Sequence, residues 1–255
     1  MNEIAAQVAQ AARLLRNANY AVALSGAGIS TPSGIPDFRS ARAGLWEKVD
    51  PMEVASLGSF IKNPAAFYDW MRPLAQQIMD AKPNPAHRAL AELESMGLLE
   101  AVITQNIDLL HSRAGSQAVY EVHGHIRECT CIDCYTVYPA QALLEQFIVD
   151  GEVPHCVACN GVLKPNVVLF GEELPVAQVL GVQNAIRKTD LLIVVGSSLE
   201  VYPVADLPRQ AHKNGAKIVI VNFDRTNFDK LADVVIHADV AEVLPAIVSE
   251  LKRHE

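Results

Sequence analysis

Apolar and polar positions along the chain follow two periods. Near the N-terminus Ile4, Val8, Ala11 and Leu15 are spaced by 4, 3 and 4 residues, the apolar stripe of an amphipathic helix. Residues 20–24 are a short run of strand formers that ends in a glycine turn, Ser25-Gly26-Ala27-Gly28-Ile29-Ser30. Further apolar runs ending in small or polar residues predict buried strands. They are Ala101–Thr104 before Gln105-Asn106, Leu191–Val195 before Gly196-Ser197-Ser198, Lys217–Val221 before Asn222, and residues 234–237. Helical patterns at roughly 85–97, 175–188, 204–214 and 240–253 separate them. Strands alternating with helices predict an α/β fold, a Rossmann-like doubly wound parallel sheet. Ligands bind such sheets outside the carboxyl ends of the strands, which is where the Gly, Ser, Asn and Gln residues fall.

Two stretches break the alternation. Residues 31–80 are rich in Pro, Gly and aromatics, among them Pro32, Pro36, Phe38, Trp46, Phe67, Tyr68 and Trp70. They read as an inserted loop with short helices. Residues 126–163 hold all five cysteines. Both leave the sheet on its ligand side. The expected organisation is a main domain of residues 1–30, 81–125 and 164–255, with a small helical and zinc-binding domain built from 31–80 and 126–163.

Composition narrows the function classes. The chain has 255 residues, half of them apolar, a length that buries roughly 70–75% of its unfolded surface. Intrinsic disorder is excluded. The longest strongly apolar run, Leu191 to Val195, is far short of the ~20 residues of a spanning helix. The first residues carry Glu3 and no Lys or Arg before Arg13, unlike a secretory signal. A net charge of −8 argues against direct nucleic-acid or anionic-membrane binding. A cytoplasmic protein is expected, in a reducing compartment where clustered cysteines signify metal more often than disulfide. Its composition sets no oligomeric state and is compatible with a monomer.

The glycine turn departs from the dinucleotide fingerprint, because Thr31 stands where the last glycine belongs. The expected acidic residue is also displaced, Glu47 and Asp50 lying inside the Pro/Gly insert. The continuation Gly34-Ile35-Pro36-Asp37-Phe38-Arg39 adds an arginine that can pair with phosphate and a phenylalanine that can cover a flat ring. An ordinary hydride-transferring dehydrogenase is thereby disfavoured. Cys131-x-x-Cys134 and Cys156-x-x-Cys159, separated by 21 residues, form two knuckles of a four-thiolate zinc site. Such a site leaves no position for water, so the metal is structural. Cys129 makes a poorer knuckle with Cys134 and is read as a spare thiol. Most of the eight histidines read as ordinary hydrogen-bonded imidazoles. His123 and His125, flanking Gly124 at the module boundary, suit a general base in a cleft; spacing does not choose between them.

Taken together, the motifs resemble one family, the sirtuins, NAD-dependent protein-lysine deacylases. They are the two glycine blocks, Thr104-Gln105-Asn106-Ile107-Asp108, His123-Gly124, the cysteine pairs, Pro165-Asn166 through Phe170-Gly171-Glu172, Gly196-Ser197-Ser198 and Val221-Asn222. They cover nearly the whole chain, and look most like bacterial members that remove acetyl groups. The resemblance implies that His123 is the general base, with Asn106 and Asp108 as its catalytic companions in the nicotinamide pocket. It places Gly26, Ala27, Gly28, Ser30, Asp37, Phe38, Arg39, Gln105 and Ile107 around the pyrophosphate and the ribose. Gly196, Ser197, Ser198, Asn222, Phe223, Asp224 and Val240 fall to the adenosine half. Val168, Phe170, Gly171 and Glu172 would clamp the substrate peptide as an added strand against Leu199 and Val201.

The implied reaction consumes NAD. The acyl oxygen of acetyl-lysine attacks the anomeric carbon, nicotinamide leaves, and His123 takes a proton from a ribose hydroxyl. Water then completes release of lysine and O-acetyl-ADP-ribose. An imidazole of ordinary pKa, about 6.5, is suited to accept that proton near neutrality. Acylated proteins are the implied partners. Leu109 stands where relatives carry a glycine or a basic residue. A Tyr-x-x-Arg pair marks relatives specialised for succinyl or malonyl groups, and here Tyr68 is followed by Met71, with Arg72 one place late. An apolar acyl pocket is therefore expected. Glu172 and Glu200 beside the peptide suggest a preference for basic sequences. The competing readings are ADP-ribosyl transfer, removal of longer acyl chains, and a non-catalytic NAD-sensing module.

Overall fold

The computed structural model describes residues 3–37 and 49–253; Phe38 and Arg39 lie outside them. Among the described residues nine strands form two sheets. The larger joins β1 (Ala21–Ser25), β2 (Ala101–Thr104), β3 (Val119–Glu121), β7 (Leu191–Val195), β8 (Lys217–Val221) and β9 (Val234–Ile236) in the order β3-β2-β1-β7-β8-β9. Every neighbouring pair is parallel. The smaller is antiparallel, β5 (Val137–Pro139), β4 (Gly124–Cys131) and β6 (Leu163–Val167) in the order β5-β4-β6. The large sheet has the doubly wound order, and its strand direction of growth reverses between β1 and β7, the topological switch point.

Helices cover both faces, which explains why the strands read as unbroken apolar runs. On one face α1 (Glu3–Asn17), α5 (Pro85–Ser95) and α10 (Val240–Lys252) pack Leu15, Leu90 and Leu244 against Ala23, Ile193 and Val219. On the other, α8 (Val176–Lys188) and α9 (Leu207–Lys213) pack Ile186 and Ala211 against Val22, Leu24 and Val194. Alternate residues of β1 thus serve opposite faces, the period of 2 that strand geometry imposes. The strand β3 carries no such signal: it has three residues, two of them only half-buried, and it becomes a strand by pairing with β2.

Residues 49–80 differ from the expected loop with short helices. After α2 (Pro51–Val54) and α3 (Leu57–Lys62), α4 (Pro64–Asp80) runs for 17 residues. Asn63 accepts from the Ala66 N–H and Pro64 starts the helix, and Phe67, Tyr68, Met71, Leu74, Ala75 and Ile78 form its buried stripe. Aromatic and proline content masked that period. The cysteine-rich stretch is also better supplied with core than its composition suggests. Ile126, Leu144, Phe147 and Leu163 join Phe60, Phe67, Tyr68 and Met71 in one cluster, with α7 (Gln141–Asp150) packed on α4. Tyr68 donates its phenol proton to Leu163 O. Arg72 donates to Ile148 O at 3.0 and 2.8 Å and to Val149 O at 2.8 Å, satisfying the last carbonyls of α7. Both side chains are therefore committed to holding the small sheet and α7 on α4. No helix among the described residues is long and apolar enough to cross a membrane.

Removing the Tyr68 hydroxyl leaves a buried carbonyl without its donor, a loss of about 1–2 kcal/mol. Tyr68→Phe is expected to lower the urea midpoint at unchanged m-value, a result that equilibrium denaturation checks.

Candidate active site

The turn after β1 and the turn after β7 meet at the switch point. Gly26 N–H donates to Val195 O at 3.2 Å and Gly28 N–H to Gly196 O at 2.9 Å. A Cβ on Gly26 would lie 2.9 Å from Gly196 O, one on Gly28 2.9 Å from the same oxygen, and one on Gly196 2.3 Å from Ile29 N. Only glycine lets the two backbones close to this distance. Ala27 and Gly28 stay half-buried above the turn while Ser30 is buried below it. Asp37 is half-buried at the last described position before the gap.

The segment after β2 folds into the same corner. Asn106 donates from Nδ2 to Gly26 O at 3.2 Å and to Ser30 Oγ at 3.1 Å. Ser30 Oγ donates to Asp108 Oδ2 at 2.6 Å, and Asp108 Oδ1 accepts from Leu110 N–H at 2.9 Å. Asp108 is buried, and desolvation raises its carboxyl above the ordinary range against the opposing pull of those two hydrogen bonds. Leu109 has φ of 65°, a left-handed conformation costly for a branched side chain; this is the position where the resemblance leads one to expect a glycine or a basic residue. The reversal sends α6 (Leu110–Ala114) back beneath the strand ends. There His111 and His87 lie edge to face, ring centroids 4.9 Å apart. Burial pushes His111 down to about 3 and His87 to about 4, with each ring's mutual or neighbouring positive charge a lesser cause. Ile107 is half-buried against the small-sheet cluster.

His123 follows β3. Its Nδ1 lies 3.1 Å from Gln105 O. A carbonyl only accepts, so Nδ1 carries the proton and Nε2 is the basic nitrogen. Gln105 is itself fixed, its N–H on Ser25 O at 3.0 Å and its amide on Ser197 Oγ at 3.1 Å. One residue therefore links β1, the His123 ring and the loop after β7. His125 sits two residues on in β4 with Nδ1 buried and unpartnered; burial lowers its pKa first, the Arg127 charge second.

Val168 to Glu172 curl around one ammonium. Lys164 Nζ donates to Pro165 O at 3.2 Å, Val167 O at 2.9 Å and Glu172 Oε2 at 3.0 Å, and Leu169 N–H donates to the same Glu172 oxygen at 2.7 Å. Glu172, expected with Glu200 to meet basic peptides, has an internal counterion in Lys164. Phe170 pairs with 55–57 through Phe170 N–H to Ala55 O at 2.9 Å and Leu57 N–H to Phe170 O at 3.0 Å. Gly171 is exposed at the tip. Leu199 is buried with φ of 57°, and Val201 is half-buried beside it. Ser198 is exposed between the buried Ser197 and Leu199.

At the far end of the switch-point crevice, Asn222 is buried after β8 and donates from Nδ2 to Asp224 O at 2.8 Å. Phe223 beside it is 65% exposed. His237 Nδ1 faces Asn222 O at 3.1 Å and its Nε2 faces Asp229 Oδ2 at 3.2 Å, so the loop is stitched to the end of β9. Val240 is buried at the start of α10.

The sulfurs of Cys131, Cys134, Cys156 and Cys159 all lie within 4.8 Å of one another. The pairs Cys131–Cys159 and Cys134–Cys156 are 3.5 Å apart. Tetrahedral Zn–S bonds of about 2.3 Å place sulfurs roughly 3.8 Å from each other, so the four thiols fit zinc. Cys129 is not among them; it is buried, and desolvation pushes its thiol up to about 12, an inert core position.

A parallel sheet with back-to-back glycine turns at its switch point, an imidazole of fixed tautomer and a four-thiol knuckle module defines a nucleotide-binding α/β protein with a zinc-type insert. The chain belongs to the Sir2 family, whose profile matches residues 26–203. It is 48% identical over 248 residues to NAD-dependent protein deacylase 2 of Archaeoglobus fulgidus, covering 97% of each chain. It is 42% identical over 237 residues to the NAD-dependent protein deacetylase of Thermotoga maritima, covering 93% of this chain and 95% of that one. A Sir2 structure with a deacetylated peptide and 3'-O-acetyl ADP ribose superposes with a TM-score of 0.90 at 41% identity, over 94% of this chain and 97% of the other.

His87, His111, Lys164 and His237 were not singled out from the sequence. A signal existed for His87, which closes a capping box with Asn84. His111 meets Ser25 only through long-range folding, whereas Lys164 and His237 turn back on partners nearby in the chain. Because the two buried imidazoles have folded-state pKa values below the ordinary 6.5, the unfolded chain takes up their protons first. Their neutral burial contributes stability above pH ~6.5 that is lost as pH falls toward about 4 and 3. Asp108 works in the opposite sense, its charge costing stability as pH rises through the carboxylate range. The denaturant midpoint is expected to fall between pH 7 and pH 5, and a His87→Gln/His111→Gln variant is expected to flatten that slope. Metal analysis is expected to return one zinc per chain, with Cys156→Ser losing it and unfolding the small sheet.

Proposed function

We propose that this protein is an NAD-dependent protein-lysine deacylase acting on acetyl and longer neutral acyl groups in the cytoplasm. The observation that carries the reading is His123, held by the Gln105 carbonyl with Nε2 as its base, beside the Asn106–Ser30–Asp108 cluster at the switch point. NAD, as co-substrate, supplies an electrophilic anomeric carbon and a nicotinamide leaving group.

The remaining steps belong to the chain. His123 Nε2 removes a proton from a ribose hydroxyl, and its fixed tautomer makes that nitrogen the base without reorganisation. Asn106 and Asp108 would line the nicotinamide pocket, where the buried Asp108 carboxyl accepts from Ser30 Oγ and Leu110 N–H rather than standing as an isolated charge. The backbone of Gly26, Ala27 and Gly28 would hold the pyrophosphate; the roles that the family resemblance gives Phe38 and Arg39 fall outside the described residues. Gln105 contacts the nicotinamide ribose, while Gly196, Ser197, Ser198, Asn222, Phe223, Asp224 and Val240 hold the adenosine half. Acylated peptides add as a strand between 168–172 and 199–201. Lys164 and Glu172 shape that turn. The units 31–80 and 126–163 act as one small domain over the crevice, organised by zinc that takes no part in the chemistry. Met71 is in the core, and Tyr68 and Arg72 hold carbonyls, which supports an acyl pocket without a carboxylate clamp. Relatives solved with propionylated and myristoylated peptides support tolerance of longer neutral chains.

Incubation with NAD and an acetylated peptide is expected to yield deacetylated peptide and O-acetyl-ADP-ribose by mass spectrometry; folded, zinc-loaded protein that yields neither overturns the reading. His123→Ala is expected to lower kcat by roughly 10²–10⁴-fold while NAD binding, followed by calorimetry, stays near that of the parent.

A further inference from the structure

Asn106 is held from two sides. Its side-chain amide spends both Nδ2 hydrogens on Gly26 O and Ser30 Oγ, which orients Oδ1 away from the glycine turn. Its backbone N–H donates to Thr104 Oγ1 at 3.1 Å. Behind that bond the network continues: Ser25 Oγ donates to Thr104 Oγ1 at 2.9 Å, and His111 Nε2 lies 2.8 Å from Ser25 Oγ. The Ser25 hydroxyl proton is already directed at Thr104, so Nε2 is the donor of the last contact. Every link is directional: His111 Nε2–H to Ser25, Ser25 O–H to Thr104, and Thr104 Oγ1 receiving Asn106 N–H. Ser25, Thr104 and His111 are all buried. Ser25 in β1 is far in sequence from the other two, Thr104 at the end of β2 and His111 in the neighbouring α6.

His111 is a poor choice for stability alone. With Nε2 as donor, Nδ1 is left buried with no hydrogen-bond partner, a desolvation cost that an apolar side chain of similar size would avoid. What the imidazole provides in return is a donor at the root of the chain that ends on Asn106.

We propose that His111 is a positioning residue of the deacylation reaction, acting through the Ser25 and Thr104 hydroxyls to fix the backbone and hence the amide of Asn106. The inference rests on the deacylase reading above. Removing the donor frees Ser25 to turn, Thr104 Oγ1 loses its fixed lone-pair direction, and the Asn106 amide is no longer aimed; substrates still bind, but the reacting groups are misaligned. Misplacement of this kind costs rate more than binding.

The test compares severed and repaired links, with melting temperature and steady-state kinetics measured for each variant. Thr104→Val and His111→Leu each remove one link with similar shape. Both are expected to lower kcat by roughly tenfold to a hundredfold, with KM for NAD and for the acetylated peptide within about twofold of the parent. Thr104→Ser keeps the acceptor and is expected to restore most of kcat. The double variant is expected to be no slower than the slower single, since one relay is broken only once. Thr104→Val keeps the inference testable if His111→Leu does not fold. Full kcat in Thr104→Val, multiplicative losses in the double variant, or losses that track melting temperature across the set would overturn the relay. A parent enzyme that turns over no peptide overturns the deacylase reading itself, and the relay with it; turnover by the parent with undiminished variants overturns the relay alone.

Discussion

The close approach of two glycine turns governs the rest of the molecule. With Gly28 N–H on Gly196 O at 2.9 Å, the ends of β1 and β7 abut, and every functional segment is placed relative to that junction. Gln105 reaches across it to Ser197, Asn106 reaches into it at Gly26 O, and the loop after β8 lies at its edge. A side chain at any of the three glycines would push the two halves of the sheet apart. The crevice is therefore a property of backbone packing first and of side-chain chemistry second, which suits a fold whose strand order leaves an opening at that place.

The large sheet was legible because its central strands are buried on both faces and flanked by helices of clear period. The strand 101–104 and the strand 191–195 stand out on hydrophobicity alone. The strand β3 did not, since three residues at an edge carry no period and depend on β2 for their conformation. The small sheet was hidden for another reason: it packs into one cluster with α4, a helix whose aromatic and proline residues look like a loop. The candidate site was legible as motif blocks, and the four cysteines as knuckles. What linear spacing does not contain is which carboxylate is already neutralised. Glu172 reads as an open charge in the sequence, yet in the fold Lys164 lies against it.

The site also shows how few polar side chains are used only once. Ser30 receives from Asn106 and donates to Asp108; Gln105 holds an imidazole with its carbonyl and a hydroxyl with its amide. Buried networks of this type are stable only when nearly every member is satisfied. Strain collects nearby, at Leu109 and Leu199, where non-glycine residues adopt left-handed backbone. Both positions bend the chain back toward the crevice immediately after a strand end, and the surrounding packing holds them there.

Lys164 has a chemical consequence of its own. Its side chain is 15% exposed and its ammonium directs hydrogens to two carbonyls and a carboxylate. An amine is acylated through a nitrogen lone pair, and presenting one here requires surrendering bonds that hold the 168–172 turn together. A member of a family that removes acyl groups from lysine thus keeps this lysine of its own bound to the fold, its hydrogens already committed to two carbonyls and a carboxylate.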